Sequence, residues 1–196
     1  MVSCILLAAG TSSRFGSAKP LARVNSQTII EFILSGLLKT KLLEIIVVLG
    51  HEAEAIAPYV FKDPRIKIVV NKEYASGQTS SFKTGLTALS PSARGIMLLP
   101  ADMPFIKQET IDLLIDNFLK NRCLILVPTY RGKNGHPPLF SIELRQEFKD
   151  LKNEEPLFSI QHKHEADTLK LPVEDEGIAL SFNTPQEFKD LVKKQK

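Results

Sequence analysis

The chain has 196 residues, a formal net charge of +3, 43% hydrophobic and 24% charged residues, which suits one soluble globular domain spanning 1–196 with a sizeable core. The basic residues are scattered and give no support to a nucleic-acid partner. The apolar run after Met1 is too short for a signal peptide or a membrane span and no other run is longer, so a cytoplasmic protein with no membrane contact is expected. Cys4 and Cys123 adjoin apolar runs and read as small buried hydrophobes, with neither disulfide nor metal-site spacing.

Val2 to Ala8 reads as a buried parallel strand. Gly10 ends it, and Gly10–Gly16 is a small, hydroxyl-rich loop holding Thr11, Ser12, Ser13 and Arg14, with Lys19 following before Pro20. Small residues let backbone N–H groups converge on an anion, and Arg14 and Lys19 add positive charge, so the loop suits a polyphosphate. It is not a P-loop, because Ser17 and Ala18 separate Gly16 from Lys19. It is not a dinucleotide fingerprint either, because three non-glycines follow Gly10. On spacing alone an ordinary strand-to-helix turn with two solvated cations explains it equally well.

Strands and helices then alternate, which predicts a parallel sheet with crossover helices. Ile29, Phe32, Ile33, Gly36 and Leu37 share a helical face. Glu44–Leu49 is the second strand, His51–Val60 a helix, and Lys67–Val70 a third strand ending at Asn71. Gln78–Leu89 is helical, Gly95–Leu99 is the fourth strand, and Ile111, Leu114, Ile115, Phe118 and Leu119 mark an amphipathic helix. Leu124–Val127 is a fifth strand. Beyond Tyr130 the pattern changes: a turn-rich loop at Arg131–Gly135, an apolar segment at 136–140, helices over Glu143–Leu151 and Pro156–His164, and an edge strand at Thr168–Pro172. Thr184 to Glu187 is a capping box with proline at the first helical position, opening a last helix that buries Phe188, Leu191 and Val192. The fold expected is a single α/β Rossmann-like domain with core strand order 3-2-1-4 and an insertion near 130–165.

That order places Pro100-Ala101-Asp102-Met103-Pro104, after the fourth strand, across the crevice from the Gly10–Lys19 loop. A lone carboxylate facing a polyphosphate loop makes sense mainly as a Mg²⁺ ligand, although an Asx turn also uses an aspartate there. Tyr74 to Ser81 enters a helix with hydroxyls and an amide that can cap it or reach a base edge. His136, between Gly135 and Pro137, is more often structural than functional in such a setting. His51, His162 and His164 read as surface residues, the last two as a weak metal pair at most.

The wording of the first loop, Leu7-Ala8-Ala9-Gly10-Thr11-Ser12-Ser13-Arg14-Phe15-Gly16 with Lys19 and Leu21, resembles the opening signature of the MobA-like NTP transferases, most of all their molybdenum cofactor cytidylyltransferase branch. The segment 100–105 is similar to that family's metal-binding stretch. Gly77, Ser80 and Ser81 resemble its base- and ribose-binding stretch, and 135–140 its acceptor side. The resemblance spans nearly the whole chain and implies a nucleotidyltransferase fold and activity. It implies Arg14, Lys19 and Asp102 as catalytic groups. Leu7, Ala8, Ala9, Gly10, Thr11, Ser12, Ser13, Gly16, Asn71, Gly77, Gln78, Ser80 and Ser81 become nucleotide contacts, and His136 an acceptor contact. Mg²⁺ would be held by Asp102 and Asn183. An acceptor phosphate would attack the α-phosphate of an NTP and release pyrophosphate. The preferred substrates are CTP and molybdopterin, giving the dinucleotide cofactor that a molybdenum hydroxylase would receive. CTP is favoured over GTP because Ala9 stands where the guanylyl branch has glycine.

Two departures bear on the branch. Ser181-Phe182-Asn183 replaces an acidic D-[IV]-D before Thr184-Pro185, and Asn183 matches the guanylyl branch. Glu154-Glu155-Pro156 stands where an Asp-rich G-D-x-G-A-R run is usual. A nucleotidyltransferase for a sugar or polyol phosphate, and a non-catalytic carrier of the finished cofactor, are the alternatives.

Overall fold

The structure, a computed structural model, describes residues 1–194. In chain order these residues form β1 (Val2–Ala8), β2 (Arg23–Val24), β3 (Gln27–Thr28), α1 (Ile29–Leu37), β4 (Glu44–Leu49), α2 (Ala53–Ile56) and β5 (Ile66–Val70). There follow α3 (Gln78–Thr87), β6 (Gly95–Pro100), α4 (Gln108–Asn121), β7 (Ile125–Tyr130), β8 (Lys133–Asn134) and β9 (Leu139–Ser141). The described chain closes with α5 (Arg145–Asp150), α6 (Phe158–Lys163), β10 (Thr168–Pro172) and α7 (Pro185–Lys194). The main sheet runs β10-β7-β9-β6-β1-β4-β5, with β8 on β7 and a separate β2–β3 pair.

The four strands β5-β4-β1-β6 are mutually parallel and realise the expected 3-2-1-4 core of a Rossmann-like fold. Every residue of β1 and β4 is buried, as parallel strands covered on both faces must be. Their alternate side chains feed two cores. Cys4, Leu6 and Ala8 join Val47, Leu49 and Leu99 under α1, α4 and α7. Ile5, Leu7 and Ala9 join Ile46, Val48 and Leu98 under α3, α5 and α6.

Several elements differ from the sequence expectation. The helix expected over His51–Val60 is one turn, Ala53–Ile56, followed by a 3-10 turn over Ala57–Tyr59, because Pro58 has no N–H to continue the ladder. In α1, opened by a Thr28–Glu31 capping box, the buried stripe is Ile29, Ile30, Ile33, Leu34 and Leu37. Phe32 is only half-buried and meets Phe105 edge-on. Leu119 is exposed on α4, outside the buried stripe of Ile111, Leu114, Ile115 and Phe118.

The larger difference lies in 130–165. The turn-rich loop is a tight hairpin from β7 to β8, with Arg131 and Gly132 both at positive φ, the turn that matches strand twist. The apolar segment after it is β9, inserted antiparallel between β6 and β7. That stretch therefore supplies a central strand as well as α5 and α6. Because β9 runs against its neighbours, its first end lies at the carboxyl edge of the parallel strands, and this carries His136 to that edge, within electrostatic reach of Asp102. Thr168–Pro172 is the edge strand expected, parallel to β7.

At the opposite edge Glu44 is buried and fully engaged. Its carboxylate accepts from the Ser3 hydroxyl at 2.8 Å, the Ser90 amide at 2.7 Å and the Lys67 ammonium at 2.7 Å. Burial alone would raise its pKa, but these partners outweigh it and hold the carboxyl below its usual value. A depressed folded-state pKa stabilises the protein above the unfolded value, about 4.3. That stability is lost as pH falls through the folded value. Glu44→Gln should cost about 1–3 kcal/mol at neutral pH and flatten the acid limb of stability against pH. Urea melts between pH 3 and 7 check this, and parallel limbs for both proteins would refute it.

Candidate functional site

The carboxyl ends of β1 and β6 open onto a crevice of about 380 Å³. Its floor is Leu7, Ala8, Ala9 and Gly10 continuing into Thr11 and Ser12; one wall holds Lys19, Pro20, Pro100, Ala101 and Asp102. The other wall holds Tyr74, Ala75, Gly77, Gln78 and Ser81. A second groove of about 460 Å³, between α1 and the start of α4, is lined by Met103, Pro104 and Phe105 but by none of the candidate catalytic, nucleotide, acceptor or metal residues.

The loop after β1 is folded by Ser12, which takes up positive φ. Its carbonyl accepts from the Phe15 and Gly16 amides at 2.8 and 3.1 Å, and its hydroxyl accepts from the Lys19 amide at 3.1 Å. Thr11, Ser13, Arg14 and Gly16 are left exposed. Phe15 turns inward and meets Phe182 and Phe188 edge-on, with centroids 5.6 and 6.1 Å away. The aromatic residue of the motif thus ties the loop to α7 and the strand of chain before it.

That tie brings charges together. Lys19 Nζ donates to the Phe182 carbonyl at 2.9 Å and to Asn183 Oδ1 at 3.0 Å, and lies 3.5 Å from Asp102 Oδ2. Arg14 donates to the same Asn183 oxygen at 3.0 Å. Asp102 is held from both sides: the Ala101 amide donates to the Leu7 carbonyl, and the Phe182 amide to the Asp102 carbonyl. The structure therefore brings Arg14, Lys19, Asp102 and Asn183, distant in sequence, to one point at the crevice mouth. The Phe182 carbonyl is a member of this group that sequence patterns cannot reveal, since every residue has one.

On the far wall Gly77, Gln78 and Ser81 face the crevice, whereas Asn71 and Ser80 lie buried beside it. The Asn71 amide donates to the Ser80 and Ser81 hydroxyls at 2.9 and 3.0 Å, and Ser80 donates to the Glu73 and Gly77 carbonyls. This network shapes the start of α3. Tyr74, not singled out individually in the sequence, lines the wall and packs edge-on against His51. Gly50 is the close approach that holds the two sides together. A Cβ there would lie 2.6 Å from Tyr74 Cβ and 2.8 Å from both the carbonyl oxygen and Cβ of Ala9.

His136 is half-buried, and its Nδ1 has no hydrogen-bond partner among the described residues. Burial pushes its imidazole below the usual value, against the upward pull of Asp102 and the Leu98 backbone, so it stays neutral at physiological pH. Its amide donates to the Ile178 carbonyl at 2.8 Å. The segment carrying Ile178 is anchored by Asp175, a buried carboxylate that accepts from the Lys107 and Gly177 amides and the Thr110 hydroxyl. Of the other histidines only His162 is freely exposed. His164 is half-buried and 3.0 Å from Glu147, and His51 is half-buried beside Tyr74. Among the described residues no three His, Cys, Asp or Glu side chains are grouped to hold a metal ion, and no helix is long and apolar enough to cross a membrane.

Comparison with known proteins agrees with this geometry. The molybdenum cofactor cytidylyltransferase of Escherichia coli K12 is 26% identical over 95% of this chain and 93% of its own length. A probable molybdenum cofactor guanylyltransferase of Natranaerobius thermophilus is 25% identical over 97% of this chain and 80% of its own. The crystal structure of Rv0371c from Mycobacterium tuberculosis H37Rv superposes with a TM-score of 0.83, at 25% identity, over 98% of this chain and 97% of that one. The model of the MobA-like NTP transferase domain matches residues 4–168. Strand order, crevice and family match coincide, and the chain belongs to the MobA-like NTP transferases, enzymes of the nucleotidyltransferase class.

Proposed function

We propose that this chain joins the nucleotidyl part of an NTP, CTP in preference to GTP, to the terminal phosphate of molybdopterin, with release of pyrophosphate. The observation that carries the reading is the meeting of Lys19 and Asp102, 3.5 Å apart, where the small-residue loop and the β6 end share one crevice. An acceptor phosphate oxygen attacks the α-phosphorus in line, the new P–O bond forms, and the bond to the β-phosphate breaks with its electrons leaving on pyrophosphate. This needs no covalent nucleophile from the protein. Lys19, Arg14 and the loop N–H groups neutralise charge moving onto the leaving group. Gly77, Gln78, Ser81 and Tyr74 bound the base, with Asn71 and Ser80 holding that wall in shape. Neutral His136 meets the acceptor by hydrogen bonding rather than by charge.

The residues at the crevice mouth suit Mg²⁺. Three oxygens already surround a cation there, the Lys19 ammonium, and oxygen donors are what a hard ion takes. Asp102 and Asn183 would hold Mg²⁺ together with substrate phosphates, and it would supply charge neutralisation on those phosphates. Relatives named for both cytidylyl and guanylyl transfer to the molybdenum cofactor span nearly the whole chain, which supports molybdopterin as acceptor. A molybdenum hydroxylase is then the natural recipient of the product. Incubation with Mg²⁺, each NTP in turn, and molybdopterin or a sugar or polyol phosphate should release pyrophosphate fastest with CTP and molybdopterin. Release only with a sugar or polyol phosphate would move the acceptor, and no release with any would refute nucleotidyl transfer.

Lys19→Ala should lower kcat about 10²–10³-fold and also lower stability by about 1–3 kcal/mol, because the ammonium's oxygen partners lose their donor; the kcat loss is read on protein shown by its melt to be folded at the assay temperature. Turnover within threefold of the parent would remove Lys19 from the reaction. Asp102→Asn should abolish turnover at any practical Mg²⁺ concentration, and a variant that turns over at the parent's Mg²⁺ concentration would mean that the carboxylate is not the ion's holder.

Ala9 is buried and pressed against Gly50 beside Tyr74, so its methyl sets how far that backbone stands from the base wall. Ala9→Gly should relax this spacing and erode the preference for CTP over GTP by up to about tenfold in kcat/KM. Equal kcat/KM for the two nucleotides in the parent protein would overturn the preference itself.

A further inference from the structure

The Lys19 ammonium carries three protons, and three oxygens of the chain surround it. The Phe182 carbonyl lies at 2.9 Å, the Asn183 amide oxygen at 3.0 Å and Asp102 Oδ2 at 3.5 Å. The side chain is 15% exposed, with Nζ 5.5 Å from the centroid of the Phe182 ring. A carboxylate, an amide oxygen and a backbone carbonyl, with no nitrogen or sulfur donor, form a cradle of the kind a hard divalent cation uses. The distances are those of an ammonium, whereas Mg²⁺ binds oxygens at about 2.0–2.1 Å. The second feature is Asn183 itself. Its one carbonyl oxygen has two lone pairs and accepts from both Lys19 and Arg14, each at 3.0 Å.

We propose that Lys19 is a tethered surrogate cation: in the nucleotide-free protein its ammonium occupies the seat that the divalent ion takes when it arrives with the nucleotide. The inference rests on the functional reading above for the identity of that pair and adds the order in which its parts assemble. A positive charge beside Asp102 cancels much of the carboxylate's attraction for an incoming cation and repels that cation directly. The seat is vacated when polyphosphate oxygens offer the ammonium a stronger, charge-assisted partner. Arg14 shares the Asn183 oxygen, so a divalent ion that takes this oxygen repels Arg14 as well, and both cations turn to the phosphates as a pair. Free divalent ions are thereby kept out of the empty site, while the metal–nucleotide pair is admitted.

The test measures Mn²⁺ alone, by the loss of its free-ion electron paramagnetic signal, on the full chain without nucleotide. The parent should bind weakly. Lys19→Met keeps the length of the side chain and removes the charge, and it should tighten Mn²⁺ at least about tenfold. Adding Asp102→Asn to Lys19→Met should abolish that gain. Thermal melts of each variant accompany the titrations, and Lys19→Gln replaces Lys19→Met if the methionine variant does not fold, with the same gain expected. A folded, uncharged variant at position 19 that binds Mn²⁺ no better than the parent, or a gain that survives Asp102→Asn, overturns the inference. A separate arm titrates the parent and Asp102→Asn with Mn²⁺ in the presence of a non-hydrolysable CTP analogue. If nucleotide fails to raise affinity through Asp102 while the Lys19→Met gain appears, the functional reading falls with the nucleotide-driven exchange, and the occupation of the Asp102 seat by the Lys19 ammonium stands. The reverse pattern removes the surrogate cation alone.

Discussion

Parallel pairing of β1 with β6 is the constraint from which the crevice follows. Leu7 is opposite Pro100, and the Ala101 amide donates to the Leu7 carbonyl, so two backbones leave the sheet side by side. One becomes the loop ending at Lys19 and the other ends at Asp102. Burial of every β1 residue fixes this register, since a slip of one position would exchange the side chains serving the two cores. The site's accuracy is thus derived from core packing, not from the loop, whose small residues pack little. Glycine at position 50 extends the same logic to β4, because Ala9 and Tyr74 occupy the space that any side chain there would need.

A second constraint comes from the end of the described chain. Asp175 binds the first turn of α4, Ile178 receives the His136 amide, and Phe182 bonds to the Asp102 backbone. The strap so formed finishes at Asn183, where the capping box of α7 begins. Edge-on contacts of Phe15 with Phe182 and Phe188, and the tilted pairing of those two rings, then pin the loop to it. Such aromatic pairs contribute about 0.5–1.5 kcal/mol each beyond their buried area. The loop is therefore held in place by the chain's own contacts, and both its cations bond to Asn183, Arg14 while exposed and Lys19 while largely covered.

Much of this was legible in the sequence because it rests on local signals. The unbroken apolar runs of β1 and β4, the glycine ending the first strand, and the Thr184–Glu187 box each declare an element in a few residues. Asp102 was placed by topology alone, once 3-2-1-4 order was assumed. What stayed hidden depends on non-local pairing. β9 is three residues long and follows two prolines, so no periodicity marks it, yet it sits in the middle of the sheet and delivers His136. The meeting of His164 with Glu147, and of Lys19 with a backbone carbonyl, leaves no trace in composition. Asn71 and Ser80 show the converse: a polar pattern beside a crevice can be consumed by the backbone that shapes it.

The departure at Glu154-Glu155-Pro156 has a structural counterpart on the far wall. The Lys83 ammonium donates to the Leu151 carbonyl at 2.8 Å and to Asn153 Oδ1 at 3.3 Å; the Asn153 amide donates to Glu73, and the Thr79 hydroxyl to the Glu155 carbonyl. Residues 151–155 are therefore fastened to the segment that bounds the crevice, through the main-chain carbonyls of Leu151 and Glu155 and the side chain of Asn153. Contacts of that kind depend on the path of the chain and tolerate a change of side chain. The usual acidic run can thus be lost here without freeing the loop. Because Thr79 and Lys83 belong to α3, whose first turn also carries Gln78 and Ser81, one helix connects residues 151–155 to the far wall of the crevice. The far wall is in this way braced from behind by residues 151–155, while Asn183 draws Lys19 and Arg14 together on the opposite side.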